Sequence, residues 1–349
     1  MSPRAAVPGR AESAWEGVAR LVAVRPWLSS EAHAWIGLAP GDLTLVGAGD
    51  ELRPETVVAE RLRDPRVTIV AARDTESLEP GRPLGDGHRS GRRGRAGHPD
   101  ETGTILHRMP DGRARAVTGH LRESVLAHVA GRVVAAGPGG LEIALDGQSL
   151  PLAAVAGEAV HGILRLATHD PGEELRPAAL HVADAGCILV AGARVDVETL
   201  TRARAMGLRG VVSGGIAGHD LRDFVASEAR QRAVLHPLPG FAAAVVEGFG
   251  RRTLAGPPFE LLAAAAEVEA EVAILPDPPL LVFPPGLALP TVAAGSLRVA
   301  AGPGAGATGR LSGAPAVVRC SEGTHLLAAP FAAEGRRWTV PLADLERFR

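Results

Sequence analysis

Apolar positions along this chain change their period three times, and each change marks a different kind of structure. Residues 12 to 24, ESAWEGVARLVAV, set Trp15, Val18 and Leu21 three apart, which predicts one face of a short helix closed by Pro26. From Gly41 the pattern turns to short strand runs. LTLV, VTIVAA, TILHRM, RARAVTG, AGRVVAA and LEIAL are punctuated by turn residues at 47–50, 110–112 and 137–140. The last two turns each separate a pair of runs and predict hairpins. The series ends near residue 167, so 1–36 reads as a helical segment and 37–170 as a small β-barrel or sandwich. Inside it, residues 79–103 mix Gly, Pro, Arg and acid without periodicity, which predicts a flexible surface loop.

Residues 171–290 alternate strand and helix. CILVAG is a buried-strand run, Asp196 stands ready to cap the helix VETLTRARAMG, and Gly207 follows it. RGVVSGG predicts the next strand, Gly218 to Ala229 a helix, and AVLHPL a third strand. FAAAVVEGFGRR reads as a further strand and turn, and PPFELLAAAAEVEAEVAIL as a proline-started helix running into a strand. Such alternation predicts a small parallel sheet. Prolines at 276–290 mark a linker, and 291–349 returns to short strands whose number suits a five-stranded SH3-like barrel. The expected fold class is multidomain, α/β plus all-β.

Composition narrows the chemistry. All 37 basic residues are arginine, and lysine, asparagine and tyrosine are absent. That excludes Schiff-base catalysis, a P-loop or kinase-type lysine, and covalent attachment of biotin or lipoate. A net charge of −2 argues against a global footprint for nucleic acid or anionic membrane. The first residues lack an apolar signal core, and the apolar stretch from Pro279 to Pro290 is broken by Pro284 and Pro285. A cytoplasmic location is expected. Cys187 and Cys320 lack metal or disulfide spacing and read as free thiols.

The stretches GDLTLVGAGDELRPETVVAERL and HVAGRVVAAGPGGLEIAL resemble halves of a lipoyl- or biotinyl-type barrel-sandwich hybrid, without the lysine that carriers modify. GSLRVAAGPGAGATGRLSG is similar to a KOW motif of SH3-like domains. With GCILVAGARV, GLRGVVSGGI and VEGFGR between them, the set resembles a bacterial family of unassigned activity covering roughly residues 40–349. The resemblance implies a domain order and no catalytic residues.

The leading site candidate is Ser213, Gly214, Gly215, Gly218, His219 and Asp220, read as a glycine-rich turn between strand and helix, where free backbone N–H groups can hold an anion. The same glycines also suit a merely tight turn, with Asp220 facing the helix dipole. Ser213 lacks a G-x-S-x-G frame because position 211 is valine. Glu247, beside Gly248-Phe249-Gly250, can act as a base or hold Arg251 or Arg252. The Gly304–Arg310 run looks like a Walker loop but carries Arg310 and Leu311 where Lys and Ser/Thr belong. The 12 histidines show no zinc spacing, so no metal is expected. Ser90 to Arg95 forms an RG-type run amid Asp86, Asp100 and Glu101.

These features lead to a non-catalytic binding or assembly protein with no cofactor. Its partner docks through the barrels, and a small anion can sit at Gly214–His219. Two alternatives stand beside it. One is an enzyme using Ser213, His219, Asp220 and Glu247 on a phosphorylated or carboxylated ligand. The other is an RNA- or ribosome-associated factor using Arg298, Arg310, Arg319, Arg336 and Arg337 as one face.

Overall fold

The computed structural model describes residues 21–71, 80, 89–90, 95–96, 102–234, 238–319 and 321–349. They fall into two compact units: Ser30–Gly147, and Gln148–Arg349 together with the residues up to Ser29. Among the described residues, no helix is long and apolar enough to cross a membrane.

Ser30–Gly147 is built from strands in sheets of five, three and four. Both expected hairpins form: Thr102–Arg108 pairs with Ala114–Gly119, and Gly131–Gly137 with Gly140–Leu145. At the first turn the Asp111 carboxylate accepts the Arg113 N–H at 3.1 Å and Gly112 takes φ +78°, a conformation that favours glycine. Val70, Ile105, Ala114 and Ala116 form a small core. A second tie is electrostatic. One Asp64 oxygen accepts the N–H groups of His120 and Leu121, each at 3.0 Å. Of the expected loop 79–103, Arg89–Ser90 and Arg95–Ala96 instead extend the five-stranded sheet beyond Arg66–Ala71. Most of that loop lies outside the described residues.

The other unit contains β1 (Ala23–Arg25), β2 (Ser149–Pro151), β3 (Ala154–Gly157), β4 (Val160–Leu166), β5 (Ile188–Val190), α1 (Val197–Ala205), β6 (Gly210–Ile216), α2 (Gly218–Val234), β7 (Ala242–Phe249), α3 (Pro257–Glu267), β8 (Glu271–Pro276) and β9 (Pro279–Val282). Strands β4 to β7 run parallel and form the middle of an eight-stranded sheet ordered β2-β9-β8-β4-β5-β6-β7-β3. Period-two alternation sorts their side chains. Ile188, Val190, Ala242 and Ala244 pack with Leu261 and Leu262 of α3. Leu189, Val211, Ala243 and Val245 face the other way, onto Leu200 and Ala203 of α1 and Phe224 of α2. As expected, Asp196 caps α1 by accepting the Thr199 N–H at 2.8 Å, and Gly207 follows the helix at φ +85°. Arg204 of α1 is hydrogen-bonded to Glu228 and Gln231 of α2.

The remaining strands are β10 (Leu297–Val299), β11 (Thr308–Leu311), β12 (Ala316–Arg319), β13 (His325–Ala333), β14 (Arg336–Pro341) and β15 (Leu345–Phe348). They form a seven-stranded sheet ordered β1-β15-β10-β11-β13-β12, with β14 on β13. The expected five strands become seven because this stretch supplies six and β1 joins β15 in parallel. Residues 23–25 are therefore strand, where a helix was expected through residue 24; residues 12–20 of that helix lie outside the described residues. Val22 is buried in the same core as Phe331 and Leu345.

Three further boundaries move. Strands β2 to β4, expected in the barrel ending at 170, pair into the α/β sheet, where β4 lies between β5 and β8 and buries Val160 and Leu164 in the core shared with α3. Of AVLHPL, expected as the third strand, the first two residues end α2, 235–237 lie outside the described residues, and β7 is the strand that pairs with β6. Within the expected linker 276–290, Pro279–Val282 is a strand, folded back on β8 across a cis Asp277–Pro278 bond.

Candidate functional site

The expected turn at Ser213–Gly215 is the end of strand β6. Its glycines serve close backbone contact. A Cβ on Gly214 would lie 2.0 Å from the Arg252 carbonyl oxygen, and one on Gly215 would lie 2.2 Å from that of Gly250. The chain after β7 thus lies directly over both glycines, and the Gly214 N–H donates to the Gly192 carbonyl at 2.8 Å. Ser213 is fully buried and its hydroxyl donates to the Gly215 carbonyl at 3.1 Å. Gly218, at the start of α2, has open space around it.

Beside it, Asp220 is buried and bridges elements. It accepts from Arg194 Nη2 at 2.9 Å and from the Val197 N–H at the start of α1 at 3.4 Å. That hydrogen bond from Arg194 raises the guanidinium above its ordinary value, burial opposing it and the charges of Asp220, Glu174 and Asp196 adding to it. His219 is exposed, its Nε2 3.5 Å from Asp220 Oδ1. Arg251 turns away from Glu247. Its Nε donates to Glu174 at 3.0 Å and its Nη2 to the Gly172 carbonyl at 2.8 Å. Glu174 also takes Arg176 at 2.7 Å. The strand ends therefore carry a web of internally matched ion pairs.

Glu247 belongs to a different cluster, of which the sequence singled out only Glu247 and, as part of an arginine face, Arg298. It is buried and binds Arg25 Nη1 at 2.6 Å and Arg298 Nη2 at 3.0 Å, not Arg251 or Arg252. Glu346 completes the group, 3.2 Å from Arg25 and 3.3 Å from Arg298. Burial alone would lower the Arg25 guanidinium, but Glu247 and Glu346 outweigh it and hold it above its ordinary value. Two guanidiniums and two carboxylates thus join β7 to β1, β10 and β15. Both Glu247 oxygens are engaged by arginines of the same chain. Arg298 sits between Leu297 and Val299 in a strand pattern that marks it for solvent; only the arrival of β7 on that face buries it.

The remaining candidates are structural in their surroundings. In the Gly304–Arg310 run, Gly304 stacks under the Trp338 ring and Gly306 meets the Gly256 backbone. Arg298 is completely buried, which removes it from the expected arginine face, whereas Arg310, Arg319, Arg336 and Arg337 are exposed. Burial pushes the Cys187 thiol up against the opposing pull of Arg165, which leaves it unactivated. Trp27 packs edge-on against Phe348 in the core and Trp338, partly buried, packs against Phe331, while Trp35 is exposed. Ser213, Asp220 and Glu247 face three separate sets of partners. Scans against family models and curated proteins return no match to this chain.

Proposed function

We propose that this chain is a non-catalytic assembly protein that docks a β-strand through the ribbon at the end of its C-terminal sheet. One observation carries the reading. Val317 and Val318 of β12 and Leu326 and Leu327 of β13 are 68%, 39%, 40% and 42% exposed, on a strand whose second edge is unpaired among the described residues. Large apolar side chains on an open backbone edge form a template for another strand. The polar candidates at the parallel strand ends are, by contrast, matched to one another. In this reading Ser30–Gly147 is a lipoyl-like barrel-sandwich hybrid serving as scaffold, and the C-terminal strands are a KOW-type SH3-like barrel. The two hairpins of the first and the glycine-spaced strands of the second support those identities. The protein works without a cofactor, in the cytoplasm.

A thermal-shift screen of the full chain against nucleotides, sugar phosphates, small carboxylates, divalent metals and short RNA tests it. A ligand at 100 times its Kd adds about 2.7 kcal/mol of stability. The assembly reading predicts no shift with any of them. A shift with a phosphorylated or carboxylated compound that His219→Ala abolishes would replace it with an enzyme reading. One with RNA, lost in Arg310→Ala/Arg337→Ala, would replace it with the RNA reading.

A further inference from the structure

Resting on the assembly reading, we propose that the strand received by the ribbon is β12 of a second copy of this chain, paired antiparallel about a two-fold axis at Val317. The ribbon projects beyond the sheet. Residues 325–327 of β13 pair only with β12 among the described residues, because β14 pairs with 328–333 and β11 with 331–332. A two-stranded ribbon is marginal in water by itself, and this one exposes apolar side chains on both faces. Strand β12 is short and bounded by Pro315 and Arg319, features that limit edge pairing, so the open apolar edge is confined to Ala316–Val318. Its flanking charges, Arg319 and Glu322, cancel, so neither a polyanion nor a strongly charged peptide is favoured.

The sequence of β12 matches itself in that register. Symmetric antiparallel pairing in one sheet requires a residue to face its own copy, since opposite side chains share a face. With Val317 on the axis, Ala316 faces Val318 of the second copy and Arg319 faces Pro315 at the ends. Val317 already pairs with Leu327 across β13. One face of the joined sheet then carries the row Leu327, Val317, Val317, Leu327 across four strands. The other carries Leu326, Val318, Ala316, Ala328 and its symmetry mate. No charge is buried within either row. A strand pair this short falls below the roughly 1,200 Å² of a standard stable interface, so the dimer is reversible and concentration-dependent.

Sedimentation equilibrium of the full chain from about 1 μM to about 500 μM, a range bracketing weak association, reads the mass directly. The expected result is a rise from monomer toward twice the monomer mass, abolished by Val317→Lys with unchanged circular dichroism. The register is read by oxidising two variants in a Cys320→Ser background. Val317→Cys places thiols on directly opposed residues, within disulfide reach, and gives the dimer as the main species. Val318→Cys places them on the diagonal, about 7–8 Å apart, and stays monomeric. A monomeric mass at every concentration, a dimer that survives Val317→Lys, or preferential cross-linking through Val318→Cys would each overturn the proposal. A monomer that also shows no shift in the ligand screen overturns only the self-pairing and leaves assembly with another strand standing.

Discussion

Gly214 and Gly218 lie four residues apart in one glycine-rich segment, yet their surroundings give opposite expectations. Gly214→Ala forces a methyl against the Arg252 carbonyl at 2.0 Å, backbone that cannot rotate away, and is expected to cost on the order of 1–3 kcal/mol. Gly218→Ala enters open space at the first turn of α2 and is expected to be neutral or to stabilise by up to about 1 kcal/mol. Urea denaturation of both variants checks this; equal losses would contradict the packing account of the Ser213–Gly215 segment. That segment shows how far single residues were legible. The glycines were visible in the sequence, but a glycine needed for a turn and one needed for close approach look alike until the covering segment, Gly250–Arg252, is placed. Asp196 was legible as a cap because its partner, Thr199, is three residues away.

Elements with local causes were read well. The hairpins around Gly112 and Gly140, and helices α1 and α3, carry their turn or capping chemistry within a few residues. Those decided by distant pairing were not. β1 exists because β15 offers it an edge, and β9 because β8 does, despite its flanking prolines. Asp64 is held below its ordinary carboxylate value, first by the Leu121 N–H, with burial opposing, then by the His120 N–H and Arg66. Because the folded-state value is depressed, this contribution is present above the unfolded value and lost as pH falls through the folded one, that is, below about pH 4. Asp64→Asn should therefore flatten the acid limb of the melting temperature between about pH 5 and pH 2. An unchanged acid limb in that variant would contradict the role given to this turn.

For the molecule as a whole, the Arg25, Glu247, Arg298 and Glu346 cluster is the polar tie between the C-terminal sheet and the α/β sheet, beside the apolar packing of Phe348. Glu247→Ala leaves two buried guanidiniums facing a single carboxylate and is expected to cost about 3–5 kcal/mol, read as a lower urea midpoint with an unchanged slope. A loss below about 0.5 kcal/mol, the range of an ordinary surface change, would show that the cluster is solvated and would reopen Glu247 as a functional group. This cluster was illegible in the sequence because its members come from positions 25, 247, 298 and 346, and a pattern of strands does not say which sheets meet.

The central claim is that the molecule acts through the β12 edge. Hydrogen exchange at the amides of Val317 and Val318, measured in dilute and concentrated protein beside those of β6 as internal standard, tests it most directly. The account predicts that the two ribbon amides exchange faster than β6 in dilute protein and gain protection as concentration rises, with β6 unchanged. Ribbon amides that exchange at the same rate at every concentration would contradict pairing at this edge.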